Sequence, residues 1–207
     1  IYNLVEGAII VFLVLVVFLG NVRAGIIVAS VIPLAMLFGF ILMRVFGVSA
    51  NLMSLGAIDF GIVVDGSIVI LEGILAHLYS KRLAGRKLTA EEMCDEVEKG
   101  AAKVVKSSTF AVLIILIVFF PILTLTGIEG KYFTPMAQTL VFCIVGALIL
   151  SLTYVPMMAA IFLPRHVDLK PTFADRFFNR LGRIYYKVLH FCMKRTVPTI
   201  ASAFALL

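Results

Sequence analysis

Residues 51–73, NLMSLGAIDFGIVVDGSIVILEG, set Asp59, Asp65 and Glu72 among side chains that otherwise dissolve in lipid. A charged group at the centre of a bilayer costs at least about 2.5–3.5 kcal/mol on insertion scales, so three on one helix need water, partners or protons. Desolvation favours the protonated acid and an approaching cation favours the carboxylate, so a moving cation turns a buried acid into a proton switch. At about 100° per residue, Asp65 and Glu72 project about 20° apart on a helix, and Asp59 about 120° from Asp65. One face therefore holds two acids, expected to point into a helix bundle, and Asp59 points to a neighbouring groove.

The helix carrying these acids must admit a close neighbour. Ala57 and Gly61 form a small-xxx-small pair, and Gly56, Gly66 and Ser67 thin the helix further. That pattern lets a second helix bring a cationic or hydroxyl partner to the acids. The competing use of buried acids is a static ion pair that holds a bundle together, and it fits Asp65 least because Asp65 sits deepest.

Composition supplies the surroundings. The chain is 62% hydrophobic and 14% charged, and its apolar runs of about twenty residues suit spanning helices. These runs fall at 4–20, 24–45, 52–78, 107–126 and 136–163, with a sixth starting near 196. The fold class is all-α, a polytopic transmembrane bundle. Pro33, Pro121 and Pro156 fall inside the runs and are expected to kink helices rather than end them. Because the chain starts beside one apolar run and stops inside another, it reads as a fragment of a longer protein, with no signal peptide at its start.

Lys and Arg orient the spans. Segments 21–23, 79–106 and 164–196 hold one, seven and eight of them, and the alternate connections hold only Arg44 and Lys131. The basic segments are read as cytoplasmic, so residue 1 lies outside and the carboxylate helix runs inward. This bias accounts for the net charge of +6 without a nucleic-acid partner. Within 79–106, Thr89 and Glu92 have capping-box spacing, predicting a helix that starts there and leads through Gly100 into the next span. Residues 164–195 read as a surface helix. Phe177, Leu181, Ile184, Val188 and Phe191 share one face, for the lipid bilayer, and Arg176, Arg180, Arg183, Lys187 and Lys194 another.

The carboxylate stretch resembles the fourth transmembrane helix of the resistance-nodulation-division (RND) transporters, and closely resembles that of their heavy-metal-efflux branch, with its pattern NLMSLGAxDFGxxVDGxxxxxE. The order of the pieces agrees: helices 2–4 of the family in 1–78, a cytoplasmic connection with a short helix in 79–106, helices 5 and 6 in 107–163, the surface helix in 164–195, and the start of helix 7 in 196–207. The resemblance implies a proton-driven exporter in a bacterial inner membrane. It also implies a homotrimer that docks to a periplasmic adaptor and an outer-membrane channel through periplasmic domains outside this stretch. It makes Asp65 the central proton-relay acid, Asp59 the extra acid of divalent-cation pumps, and Glu72 the acid nearer the cytoplasm. Drug exporters usually carry two adjacent Asp where this chain has Asp65 and Gly66, and the copper and silver branch has Met at the position of Val63. Zinc, cobalt, cadmium or nickel is therefore the implied cargo. Gly73 departs from the pattern, which commonly has Asn there.

Other chemistries fit less well. The tripeptide Asp59-Phe60-Gly61 matches a kinase magnesium motif, but no phosphate loop or catalytic loop accompanies it. Intramembrane aspartyl proteolysis needs two adjoining carboxylates, whereas Asp59 and Asp65 project to different faces. A scaffold without transport would leave three buried acids unexplained. Cys94, Cys143 and Cys192 lack metal or disulfide spacing. His77, His166 and His190 read as isolated helix-end or headgroup contacts, and Met157 and Met158 as packing. No enzyme activity or cofactor is indicated, and the metal ligands are expected outside this stretch.

Overall fold

The computed structural model describes residues 2–48, 60–80 and 88–164, and eight positions between 182 and 194. It divides into residues 1–169 and residues 170–207. In lipid every backbone amide and carbonyl must bond within the chain, which leaves the helix as the default for an apolar run. Among the described residues of the first unit five helices follow: α1 (Tyr2–Leu19), α2 (Val22–Val45), α3 (Phe60–Leu78), α4 (Ala90–Leu123) and α5 (Gly127–Phe162). Among the described residues there is no strand, and α2 to α5 are each long and apolar enough to span a membrane. The chain is a multi-pass membrane protein. Pro33, Pro121, Pro135 and Pro156 lie inside helices that continue past them.

Local chemistry sets the ends. Gly20, at φ +60°, donates its amide to the Val16 carbonyl, and Asn21 then caps α2 by accepting from the Arg23 amide at 3.0 Å. The Thr89 hydroxyl accepts the Glu92 amide at 3.3 Å, and the Glu92 carboxylate accepts the Thr89 amide at 2.9 Å, closing the capping box of α4. From there α4 continues through Gly100 to Leu123, so the boundary read at 106/107 falls within a continuous helix. At 34 residues it is about 51 Å long, against a hydrocarbon core of roughly 30 Å. Its apolar part is Lys106–Leu123, and its charged first half lies outside that part.

Contacts fix the register. Ser30 of α2 pairs with Tyr154 of α5, Phe38 meets Gly146, and Gly39 meets Cys143, so these helices are antiparallel. Gly66 of α3 meets Ser108 of α4, Gly73 meets Val104, and His77 meets Glu96, which makes α3 and α4 antiparallel too. Arg23, His77 and the start of α4 thereby gather at one end of the bundle, while Arg44 and Lys131 lie toward the other. The core runs through Ile27, Val28 and Val31 of α2, Val64, Ile70, Leu71 and Ile74 of α3, and Cys143 and Val155 of α5. Ile9, Val17, Ile26, Ile41, Ile117 and Val118 are more than half exposed, an apolar exterior suited to lipid or further helices.

In the second unit the described positions are helical, and the rings of Tyr186 and His190 stack with centroids 6.4 Å apart. Of the two predicted stripes, only Lys194 falls among the described residues.

Candidate functional site

Helix α3 has two unlike faces. Val63, Val64, Ser67, Ile70, Leu71 and Ile74 are buried against its neighbours, while Asp65, Glu72 and Ala76 are exposed. Asp65 lines a groove of about 510 Å³ whose other walls come from α1 (Ile10, Val14, Leu15), α3 (Gly61, Ile68) and α4 (Ile115). Among the described residues it is the only ionisable side chain in that lining. Seven residues separate it from Glu72, two turns or about 10.5 Å along the axis, which keeps both acids on one side. Within this unit Asp65 faces an open groove and Glu72 is exposed, because the bulky apolar positions of α3 occupy the sides that meet α2, α4 and α5. Asp59 and Ala57 lie outside the described residues.

The opposite side of α3 is tightly held. The Ser108 hydroxyl of α4 donates to the Gly66 carbonyl at 3.3 Å, placing a hydroxyl beside the backbone that follows Asp65. A Cβ on Gly66 would stand 3.4 Å from Val112 and 3.6 Å from Ser151, ordinary contact, and Gly61 lies in the groove wall. The tight approach is further along. A Cβ on Gly73 would lie 2.5 and 2.9 Å from the two Val104 methyls, and one on Gly100 would lie 2.9 Å from the Ile74 Cα. Gly73, marked in the sequence only as a departure from a pattern, thus permits the crossing of α3 and α4. Glycine at two facing positions is the available signal, but it is legible only once the antiparallel register is known.

One turn beyond Glu72, His77 bonds across to α4. Its Nε2 lies 2.7 Å from Glu96 Oε2 and its Nδ1 lies 2.9 Å from Lys103 Nζ, while Lys99 Nζ donates to Glu96 Oε1 at 2.7 Å. The bonds from Lys99 and His77 hold the Glu96 carboxyl below the usual Glu range. His77 is therefore not the isolated residue that the sequence suggested.

Comparison with known proteins places this geometry. The model of the AcrB/AcrD/AcrF family matches residues 1–207, the entire chain. The chain belongs to that family. Among curated relatives of this AcrB/AcrD/AcrF member, Protein HelA of Legionella pneumophila is 44% identical over 99% of the chain and 19% of its own length. Cobalt-zinc-cadmium resistance protein CzcA of Cupriavidus metallidurans is 49% identical over 80% of the chain and 16% of its own length. A crystal structure of a heavy metal efflux pump superposes with a TM-score of 0.66 at 34% identity, covering 99% of this chain and 17% of that one. A second crystal form of a heavy metal efflux pump gives 0.65 at 40% identity, over 77% of this chain and 15% of that one. The family is one of transporters, and the resemblance to its heavy-metal-efflux branch read from residues 51–73 agrees with these relatives. The chain spans less than a fifth of the length of each.

Within this AcrB/AcrD/AcrF chain, the structure brings Asp65, Gly61 and the apolar face of α1 to one groove, with Glu72 on the same side of α3. Gly66 sits on the opposite, packed side. Among the described residues no group of three or more His, Cys, Asp or Glu is arranged to hold a metal.

Proposed function

We propose that this chain is the proton-relay part of a pump that exports divalent heavy metals, zinc, cobalt, cadmium or nickel, in exchange for protons. Asp65 takes up a proton when its groove opens to water on one side and releases it on the other, and Glu72 receives or passes that proton toward the basic end of the bundle. Asp59 tunes the site as an additional acid. The carrying observation is that, among the described residues, Asp65 is the single ionisable group in an apolar groove, on a helix clamped from behind through Ser108, Val104 and Gly100. A carboxylate so placed is stabilised by a proton or by an arriving cation, and alternation between the two is what coupling requires.

The cargo follows from CzcA, a cobalt-zinc-cadmium resistance protein by name, and from the Asp65-Gly66 and Val63 positions of the motif. The working unit is a homotrimer in a bacterial inner membrane with its basic segments in the cytoplasm, serving with a periplasmic adaptor and an outer-membrane channel. The test is zinc-stimulated proton flux by the full-length protein in proteoliposomes, wild type against Asp65→Asn. Loss of zinc-driven proton flux in the variant, with the protein still folded, supports the reading. Zinc-driven flux retained in Asp65→Asn ends it, and flux driven only by copper, silver or an organic substrate moves the protein to another branch.

A further inference from the structure

The cluster at the inner end of α3 has a bonding pattern that assigns one tautomer to a neutral His77. The Lys103 ammonium can only donate, so His77 Nδ1 is the accepting nitrogen and Nε2 carries the proton that goes to Glu96. The side chains of His77 and Glu96 are only 13% and 19% exposed, which leaves water little room to substitute for these partners. Lys99 and His77 favour the charged form of Glu96, so the acceptor stays in place near neutral pH. Both His77 bonds join α3 to α4 at the level of Gly100, where a Cβ would stand 3.1 Å from the His77 Cβ.

A proton added at Nδ1 changes this arrangement in one direction. An imidazolium has two donors and no acceptor, so the Lys103 ammonium, 2.9 Å away, loses its acceptor and meets a like charge. The bond to Glu96 survives as an ion pair. Among the described residues, the titratable groups facing the ring are Glu96 and Lys103, with Lys99 behind Glu96, all from α4. The charged side chains of the other packed helices, Glu6 of α1, Arg23 and Arg44 of α2, and Glu129 and Lys131 of α5, make no bond or ion pair to His77 among the described residues.

We propose that His77 is a positioning residue for the proton relay: it ties the inner end of the carboxylate helix to α4 through Glu96 and Lys103, and a proton taken up at Nδ1 expels Lys103 and loosens that tie. The inference rests on the antiport reading and adds to it a control by protons on the basic side of the membrane. His77 itself touches neither cargo nor the acids of the groove. It acts through the grip on α3, tight when its own side of the membrane is poor in protons and slack when that side is rich in them.

The test uses the full-length protein in proteoliposomes, with zinc as substrate and the pH of the compartment facing the His77 end varied from about 5 to 8, where histidine titrates. The variants are His77→Gln, which keeps an N–H for Glu96 but cannot titrate, and Lys103→Met, a change at an exposed lysine that leaves folding intact. The wild-type rate changes across this range by a factor of about three, the typical weight of one hydrogen bond between membrane helices, and both variants flatten that response. The response to pH on the opposite side persists in both. If Asp65→Asn abolishes coupling but Lys103→Met and His77→Gln keep the wild-type profile, the inference is overturned and the antiport reading stands. If Asp65→Asn retains coupling, the antiport reading falls and the inference falls with it.

Discussion

Adding one methyl at Gly73 tests the crossing of α3 and α4. The Cβ of Gly73→Ala would lie 2.5 Å from one Val104 methyl and 2.9 Å from the other. Bringing the nearer contact to the ordinary limit of 3.4 Å requires a movement of 0.9 Å, the difference between the two distances. Val104 cannot rotate away, because a helical valine is held in one χ1 well and both of its methyls are already in contact. Overpacking of this kind costs about 1–3 kcal/mol, and the gain of Ala over Gly in a helix returns roughly 0.5–1 kcal/mol. A net loss of roughly 0–2.5 kcal/mol follows for Gly73→Ala. Val104→Ala alone leaves a gap and costs about 1 kcal/mol by analogy with core truncations. The double variant puts the new methyl where the old ones were, so its loss falls short of the sum by about 1–2 kcal/mol, within the range for touching residues. The assay is the fraction of full-length protein that stays folded in detergent along a heating series, for the wild type, both single variants and the double. Singles that add to within about 0.5 kcal/mol would refute the reasoning, since independent sites behave that way.

Other expectations concern single contacts. The Ser30 hydroxyl donates to the Ile27 carbonyl at 2.6 Å, so Tyr154 must be the donor in the 3.0 Å bond between the two hydroxyls. Tyr154→Phe removes that link between α2 and α5 and lowers stability by about 0.6 kcal/mol, the average for such bonds in membranes, read in the same heating series. Thr89→Ala opens the capping box and costs about 1 kcal/mol, seen as faster amide exchange in the first turns of α4. The depressed Glu96 carboxyl gives a stabilisation that is complete above the ordinary Glu range and is lost as pH falls through its lower folded value. Wild type and Glu96→Gln should therefore differ in stability at neutral pH and converge in acid, and a gap that stays constant with pH would remove Glu96 from that role.

Some of this architecture is local in origin and so legible in the sequence. The capping box at Thr89 and Glu92 is a three-residue pattern, and the shared face of Asp65 and Glu72 follows from helical periodicity alone. The all-α membrane class follows from apolar runs, because lipid leaves few alternatives to the helix. What was hidden depends on register between helices. His77 and Glu96 are 19 residues apart on antiparallel helices, and Gly73 acquires meaning only opposite Val104. Periodicity shows that Asp65 and Glu72 share a side, and packing decides what that side meets. The continuity of α4 was legible as well: the capping box marks a start with no stop signal before the apolar run, and the helix leads through Gly100 into the span.

That continuity has a mechanical side. Helix α4 is one unbroken rod from Ala90 to Leu123, and it bears most closely on α3 at Gly100. From Gly100 the rod extends ten residues to its charged tip and 23 to its far end, about 15 Å and 34 Å at 1.5 Å per residue. If the rod rocks about that bearing, a displacement of the charged tip is magnified a little more than twofold at the opposite membrane face, in the opposite sense. With no side chain at Gly100 to jam the bearing, α4 would then act as a lever with unequal arms, and a small electrostatic adjustment beside His77 would become a larger excursion far from the charges that caused it.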